Sequence, residues 1–357
     1  MREKVNHIVN WIAEYSGRAK LKTLVVGVSG GIDSAVVSTL CAESGIRTIP
    51  IVMTIRNKDI LALEHVWWLE EKYGHNVSRR VVNLEKIFTE IENASKYIGA
   101  DSELAFANTR SRLRMLMLYQ MAQSEKGLVV GVSGGIDSAV VSTLCAESGI
   151  RTIPIVMTIR NKDILALEHV WWLEEKYGHN VSRRVVNLEK IFTEIENASK
   201  YIGADSELAF ANTRSRLRML MLYQMAQSEK GLVVGTGNKV EDFGVGFYTK
   251  YGDGGVDISP IADCLKTEVW KMADYLGISK DIIDAPPTDG LWEDNRTDED
   301  QLGLSYEQLE RAMKADESGE IIVDNGLISI VEKFRTIRAQ NKHKMSMPPV
   351  CSMEKFR

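Results

Sequence analysis

No stretch of this 357-residue chain approaches the about 18 consecutive apolar residues that cross a bilayer. Its opening, MREKVNHIVNWIAEY, is broken by charges and sets Val5, Ile8, Val9 and Ile12 at i, i+3, i+4 and i+7. That spacing predicts an amphipathic helix rather than a signal peptide, and a cytoplasmic protein with no membrane partner. Basic charge is lacking too: 44 Lys and Arg against 49 Asp and Glu leave a net charge of −5, which is no footprint for a nucleic-acid partner. Cysteine is scarce, with four residues and no CxxC pair. Cys41 and Cys145 fall in the apolar stretch AVVSTLCAE, so reduced, buried thiols are expected. His7, His65, His75, His169 and His179 show no metal-ligand spacing and read as structural or exposed.

What is present is a repeat. Residues 24–127 recur without a change at 128–231, and LVVG stands at 24–27, 128–131 and 232–235. The first two continue as VSGGIDS, the third as TGNKVED. Solenoid repeats run about 20 to 50 residues, so a block of 104 holding several strands and helices is not one. An unequal joining of one ancestral chain at the LVVG tetrapeptides explains the pattern. Removing one 104-residue copy from 357 leaves 253 residues. The expected organisation is therefore a helix at 1–23, a first half-domain at 24–127, and a complete unit at 128–357.

Within one block strands alternate with helices. LVVGV (24–28), TIPIVM (48–53) and RRVVN (79–83) read as strands; 34–43, 59–73, 85–93 and 103–123 read as helices. Such alternation predicts an α/β fold with a doubly wound parallel sheet, and each later LVVG should supply another strand. Trp67, Trp68 and the MLML run read as core or subunit interface. After residue 236, FYTKYGDGGVD (247–257) reads as a glycine-rich loop, and KTEVWKMADYLG (266–277) as a helix with Val269, Met272, Ala273 and Leu276 on one face. Ser305 and Gln308 have capping-box spacing before another helix, while EDNRTDED (293–300) reads as an exposed loop. Leu327, Ile330, Val331 and Phe334 mark the last helix.

A strand, then SGGIDS, then a helix is a physical solution for holding pyrophosphate. Two glycines admit the anion to the backbone, serine hydroxyls donate, and the helix N-terminus presents unpaired N–H groups. The loop comprises Gly131, Val132, Ser133, Gly134, Gly135, Ile136, Asp137 and Ser138, or their first-copy equivalents Gly27, Val28, Ser29, Gly30, Gly31, Ile32, Asp33 and Ser34. Asp137 or Asp33 could hold Mg2+. The pattern is neither GxxxxGK[ST] nor GxGxxG, and a plain tight turn is the bland alternative.

SGGIDS in this setting resembles the loop of the N-type ATP pyrophosphatases, of adenine nucleotide alpha hydrolase-like fold with Rossmann-type layers. NTRSRLRMLMLY (212–223), the stretch from Gly235 to Asp263 containing KYGDGGVD, and APPTDGLWED (285–294) resemble the NAD synthetase family of that group. The resemblance implies ATP contacts by Thr236, Lys266 and Thr288 as well as the loop. It implies deamido-NAD contacts by Arg216 (or Arg112), Lys250, Asp257, His343 and Lys344, and a second Mg2+ ligand, Glu241, beside Asp137. The implied reaction adenylates the nicotinate carboxylate and then displaces AMP with ammonia, by positioning and charge stabilisation and with no protein nucleophile. The 253-residue unit leaves no room for a glutamine amidase, so free ammonia is expected. A homodimer is implied as well. Two alternatives stay open: another ligase of the group, directed at a GMP precursor or tRNA, and an inactive product of the duplication.

Overall fold

The computed structural model describes residues 2–18, 22–56, 60–100, 102–124, 135–160, 163–228, 232–288, 297–318 and 324–354. Helix α1 (Arg2–Arg18) leads into β1 (Thr23–Val28), α2 (Ile32–Glu43), β2 (Arg47–Thr54), α3 (Ile60–Tyr73), β3 (Arg80–Asn83), α4 (Glu85–Tyr97) and α5 (Glu103–Ser124). The order recurs as α6 (Ile136–Glu147), β4 (Ile155–Thr158), α7 (Ile164–Tyr177), β5 (Arg184–Asn187), α8 (Glu189–Tyr201) and α9 (Glu207–Ser228). The C-terminal unit opens with a π-helical segment, Lys239–Val245. It continues with α10 (Lys266–Leu276), α11 (Lys280–Ile283), α12 (Asp298–Leu302), α13 (Tyr306–Ser318) and α14 (Asn325–Asn341).

The predicted parallel α/β architecture is present. Strands β1, β2 and β3 form one parallel sheet in that order, with Val28 opposite Val52 and Ile51 opposite Arg80. Strands β4 and β5 form a second parallel pair. β2 and β4 lie in identical sequence, yet β2 runs eight residues and β4 four. β2 has hydrogen-bonded neighbours on both sides, whereas among the described residues β4 pairs only with β5, and Thr152–Val181 is an isolated bridge. The expectation that each LVVG adds a strand is corrected in part. Residues 128–131 lie outside the described residues, and in the third tetrapeptide Val234 makes only an isolated bridge to Ile258. TGNKVED turns directly into the π-helical segment instead of a loop and helix.

The two copies pack against each other about a local two-fold. Arg80 donates from Nε to the Ile202 carbonyl (3.2 Å), and its repeat Arg184 donates to Ile98, the repeat of Ile202 (3.0 Å). Lys86 pairs with Glu194 at 2.7 Å and Lys190 with Glu90 at 2.8 Å, again reciprocally. Reciprocity of this kind marks an isologous interface. Phe88, Leu113, Leu116 and Met117 share one core with Phe192, Leu217, Leu220 and Met221 along α4, α5, α8 and α9. Leu116 and Met117 of the MLML run, with Leu220 and Met221 of its repeat, are thus buried between the copies, in line with the core-or-interface reading. Trp67 and Trp68 are not core: they are 53% and 42% exposed. The buried stripe of α3 runs through Ala62, Val66 and Leu69, at i, i+4 and i+7, and both tryptophans fall beside it.

The acidic stretch is also corrected where it is described. Thr297 caps α12 through Asp300, and Asp298 is buried. Residues 289–296 lie outside the described residues. The capping box at Ser305 forms as expected, with Ser305 N–H donating to Gln308 Oε1 (2.9 Å) and Gln308 N–H to Ser305 Oγ (3.2 Å). The apolar face of α10 (Val269, Ala273, Leu276) joins Ile136, Ala139, Val140 and Val141 of α6 in a second core. That contact places the C-terminal unit against the second copy.

Candidate functional site

The site is built where α6 begins. Gly135 caps this helix in an extended conformation with no side-chain cap at its first turn, and a helix N-terminus is the place where backbone N–H groups and the dipole suit an anion. Ser138 donates from Oγ to the Gly135 carbonyl at 2.8 Å. Gly131, Val132, Ser133 and Gly134 lie outside the described residues. The first-copy loop shows the full geometry: Gly30 has φ of 72°, a left-handed turn that favours glycine, and Ser34 accepts from Ser29 N–H at 3.2 Å while donating to the Gly31 carbonyl at 2.9 Å. Val28 is buried, whereas Ile32 and Asp33 are exposed. Gly27 sits against Leu118, so even its position is tightly packed.

Asp137 projects from the first turn of α6 into the C-terminal unit. Lys266, the first residue of α10, donates to Asp137 Oδ2 (2.5 Å) and to Glu241 Oε1 (2.8 Å), its ammonium almost fully buried. Asn238 holds both ends of this arrangement. Its Nδ2 donates to Asp137 Oδ1 (3.2 Å), and its Oδ1 accepts from the N–H groups of Val240 and Glu241 (3.0 and 3.1 Å), capping the π-helical segment. The Tyr306 hydroxyl is set between Glu241 Oε1 (2.5 Å) and Asp298 Oδ2 (3.0 Å). Glu241 and Lys266 were singled out from sequence; Asn238, Tyr306 and Asp298 were not.

Two carboxylates share one ammonium here, and their environments separate them. Burial drives Asp137 above the usual carboxylate range, with the Glu241 charge adding to it against the pull of Lys266. Burial also opposes ionisation of Glu241, but the Lys266 ammonium and the Tyr306 hydroxyl outweigh it and hold Glu241 low. Lys266 itself is raised, since its two carboxylates overcome its burial. The cluster therefore keeps a cation fixed at a helix N-terminus.

A second group gathers around the glycine-rich loop. Asp253 accepts from Ser215 Oγ (2.8 Å) and from Thr249 N–H (2.9 Å), and burial pushes its carboxyl up to about 7. Arg216 is fully buried and reaches the Lys250 carbonyl, while Arg218 is nearly buried and donates to the Met157 carbonyl (3.3 Å). Neither arginine lies on a solvated helix face. Lys344 is buried with Nζ donating to the Gly246 carbonyl (2.9 Å), and burial pulls it down to about 8. Lys250 donates to the His343 carbonyl (2.6 Å), tying the loop to the turn after α14. Thr236 lines a pocket with Ser215, Arg218, Asp253 and Val256. Glycine is required by contact at Gly252 of this loop, where a Cβ would strike Thr249 and Ser215, and at Gly237 before the π-helical segment, where it would strike the Asp242 carboxylate. Thr288 is exposed, at the edge of the described chain.

Asp257 lies in a third place, between the copies. Its oxygens accept from Val233 N–H (2.8 Å) and from the Tyr223 hydroxyl (3.1 Å). The Arg112 guanidinium, from the first copy, stacks 4.5 Å from the Tyr223 ring centroid. Arg112 of the first copy is thus brought beside Asp257. Among the described residues no group of three or more His, Cys, Asp or Glu side chains is arranged to hold a metal ion, and the four cysteines are free thiols. No described helix is long and apolar enough to cross a membrane.

Comparison with known proteins gives this geometry a context. The NAD synthase family model matches the chain twice, over residues 4–131 and 123–348. Similar curated proteins include the NH(3)-dependent NAD(+) synthetase of Syntrophomonas wolfei, 36% identical over 228 residues that cover 63% of this chain and 87% of the relative. That of Archaeoglobus fulgidus is 38% identical over 234 residues, with the same coverage of 63% and 87%. Among solved structures, NMN synthetase from Francisella tularensis superposes with a TM-score of 0.53 at 25% identity, over 68% of this chain and 98% of the other.

Proposed function

This chain belongs to the NAD synthase family, and from that premise we propose that it is a cytoplasmic ligase that amidates deamido-NAD with ammonia. ATP is the co-substrate, and AMP and pyrophosphate leave by way of an acyl-adenylate. The observation that carries this reading is the buried Asp137–Lys266–Glu241 cluster at the N-terminus of α6. A fixed ammonium beside a helix N-terminus suits a polyphosphate, and Lys266 would neutralise charge growing on the departing pyrophosphate. Asp137 and Glu241 already converge on one cationic atom, so their oxygens suit Mg2+. When bound, that ion would supply charge neutralisation on phosphate oxygens. Thr236 and Thr288 are assigned to ATP with the loop. Lys250, Asp257, Arg216, His343 and Lys344 are assigned to deamido-NAD, with Arg216 acting from beneath by holding Lys250.

We assign the working site to the second copy, within a unit spanning 128–357. The contact of Asp137 with Lys266 supports this choice. The first copy then has a role of its own: it brings Arg112 to Asp257 and takes the two-fold position that a homodimer partner would occupy. Single Asp33→Ala and Asp137→Ala variants, assayed with ATP, Mg2+, ammonia and deamido-NAD for NAD and pyrophosphate, test the assignment. Loss confined to Asp137→Ala is expected. Loss confined to Asp33→Ala would move the site to the first copy, and a folded parent without product formation would refute the amidation reading.

A further inference from the structure

One surface of this molecule is covered in one copy and open in the other. On α6, Ile136, Val140 and Val141 are 3%, 0% and 2% exposed, beneath Val269 and Ala273 of α10 and Ile282 of α11. On α2, the same residues Ile32, Val36 and Val37 are 75%, 48% and 48% exposed with α1 already in place against the helix. The difference continues along the neighbouring helix, where Ser215 is held by Asp253 while its repeat Ser111 is exposed. Three large apolar side chains open on one helix are an unfilled contact, and the molecule itself displays what fills it.

We propose that the α2 face is a second seat for the C-terminal unit, residues 236–348, and that it is filled by that unit from a second copy of this chain. The complementary surface is known atom by atom from α6, because the two helices have one sequence. Charge agrees with shape: Asp33 is exposed at the head of α2, and the unit carries Lys266, which meets the equivalent Asp137. The local two-fold carries the α6 seat onto the α2 seat. A chain has two such seats and one C-terminal unit, which occupies α6, so a unit that fills α2 while α6 stays covered comes from another molecule and leaves its own α6 seat to do so.

The exchange trades one set of apolar contacts for an identical set. It is opposed by the tether, whose effective concentration is on the order of millimolar for a short connection. Exchange of this kind is a low-cost route to association. Transfer of units between molecules is thus expected once the protein reaches hundreds of micromolar, a tenth or more of the tether's on the order of millimolar.

Sedimentation of the full chain after prolonged incubation tests the seat without any assay of activity. The weight-average mass should rise across that range and stay monomeric for Val36→Asp, which charges the open face; Val37→Lys should act alike. A labelled Val36→Asp chain mixed with excess parent identifies the occupant. It has lost its α2 seat but keeps its C-terminal unit, so it should co-sediment with the parent. Absence of any mass increase overturns the proposal, as does an increase that Val36→Asp leaves in place. Failure of labelled Val36→Asp to join the parent would show that two α2 faces pair with each other, and overturns it equally.

Discussion

Helices α2 and α6 are the same twelve residues, IDSAVVSTLCAE, in two surroundings. On α6 the apolar face is closed by the C-terminal unit and Asp137 is gripped by Lys266; on α2 that face is open and Asp33 points to solvent. The pair separates two things that a single-copy enzyme would confound. Forming the helix and its start is local, since both copies make the helix and close it with the same Ser–Gly bond, Ser34 to Gly31 and Ser138 to Gly135. Making a site is not local. The electrostatics that distinguish Asp137 come from Asn238, Glu241 and Lys266, more than a hundred positions away, and the identical Asp33 stands exposed without them.

The largest way to break that comparison is to place a charge on each face. Val140→Asp would bury a carboxylate in the α6–α10 core with no partner, at a cost of about 3 kcal/mol or more. Val36→Asp on the exposed face should change stability by less than about 0.5 kcal/mol. Chemical denaturation of the two variants checks this, and equal costs would mean that the C-terminal unit does not choose between the copies. Activity should divide as sharply. Lys266→Ala removes the cation shared by both carboxylates, and a loss of about a hundredfold or more in kcat is expected. Lys266→Arg should recover little, because a planar guanidinium does not replace a point charge between two buried carboxylates.

Much of this contrast was legible beforehand. The alternating strands and helices, the α10 stripe and the Ser305 box follow from periodicity and capping chemistry, which are local. The family motifs paired Asp137 with Glu241 as Mg2+ ligands and gave Lys266 to ATP, so the ammonium that bridges the two carboxylates was not foreseen. Asn238 was hidden within TGNK because its function is to cap a π-helical segment that no periodicity announces. Tyr306 reaches Glu241 from 65 positions away, a distance no local pattern spans. Of the two readings of Trp67 and Trp68, core and subunit interface, the core one failed because an apolar residue type does not reveal which side of a helical stripe it occupies.

A smaller difference between the seats should appear on titration. Asp253, raised to about 7 by burial, binds its proton in the native state over the interval where the unfolded carboxyl has released it. Native protons then outnumber unfolded ones, so stability falls as pH rises from about 4 to about 7, by at most about 1.4 kcal/mol per pH unit. Lys344, lowered to about 8, does the reverse: the unfolded chain holds the extra proton above that value, and stability rises with further increase in pH. Asp253→Asn should flatten the falling limb. The Ser111 seat, which has no Asp253 against it, contributes nothing to either limb, so Ser111→Ala should leave both slopes unchanged.

The smallest effect is the most direct reading of the comparison, since it uses one histidine twice. His65 lies 3.0 Å from Ser38 Oγ and His169 lies 3.1 Å from Ser142 Oγ, so the local hydrogen bond is the same in both copies. What differs is burial. It lowers both imidazoles, but it takes His169 down to about 4 while His65, in the more open copy, has a smaller displacement. His169 must then remain neutral where the unfolded imidazole is charged, and stability falls as pH drops from about 6.5 to about 4. Two separate imidazole titrations in an NMR series, the upper one removed by His65→Asn and the lower by His169→Asn, are the expected result. Coincident titrations would mean that the C-terminal unit does not desolvate the second copy at this depth, and the contrast between α2 and α6 would then be confined to the helix faces themselves.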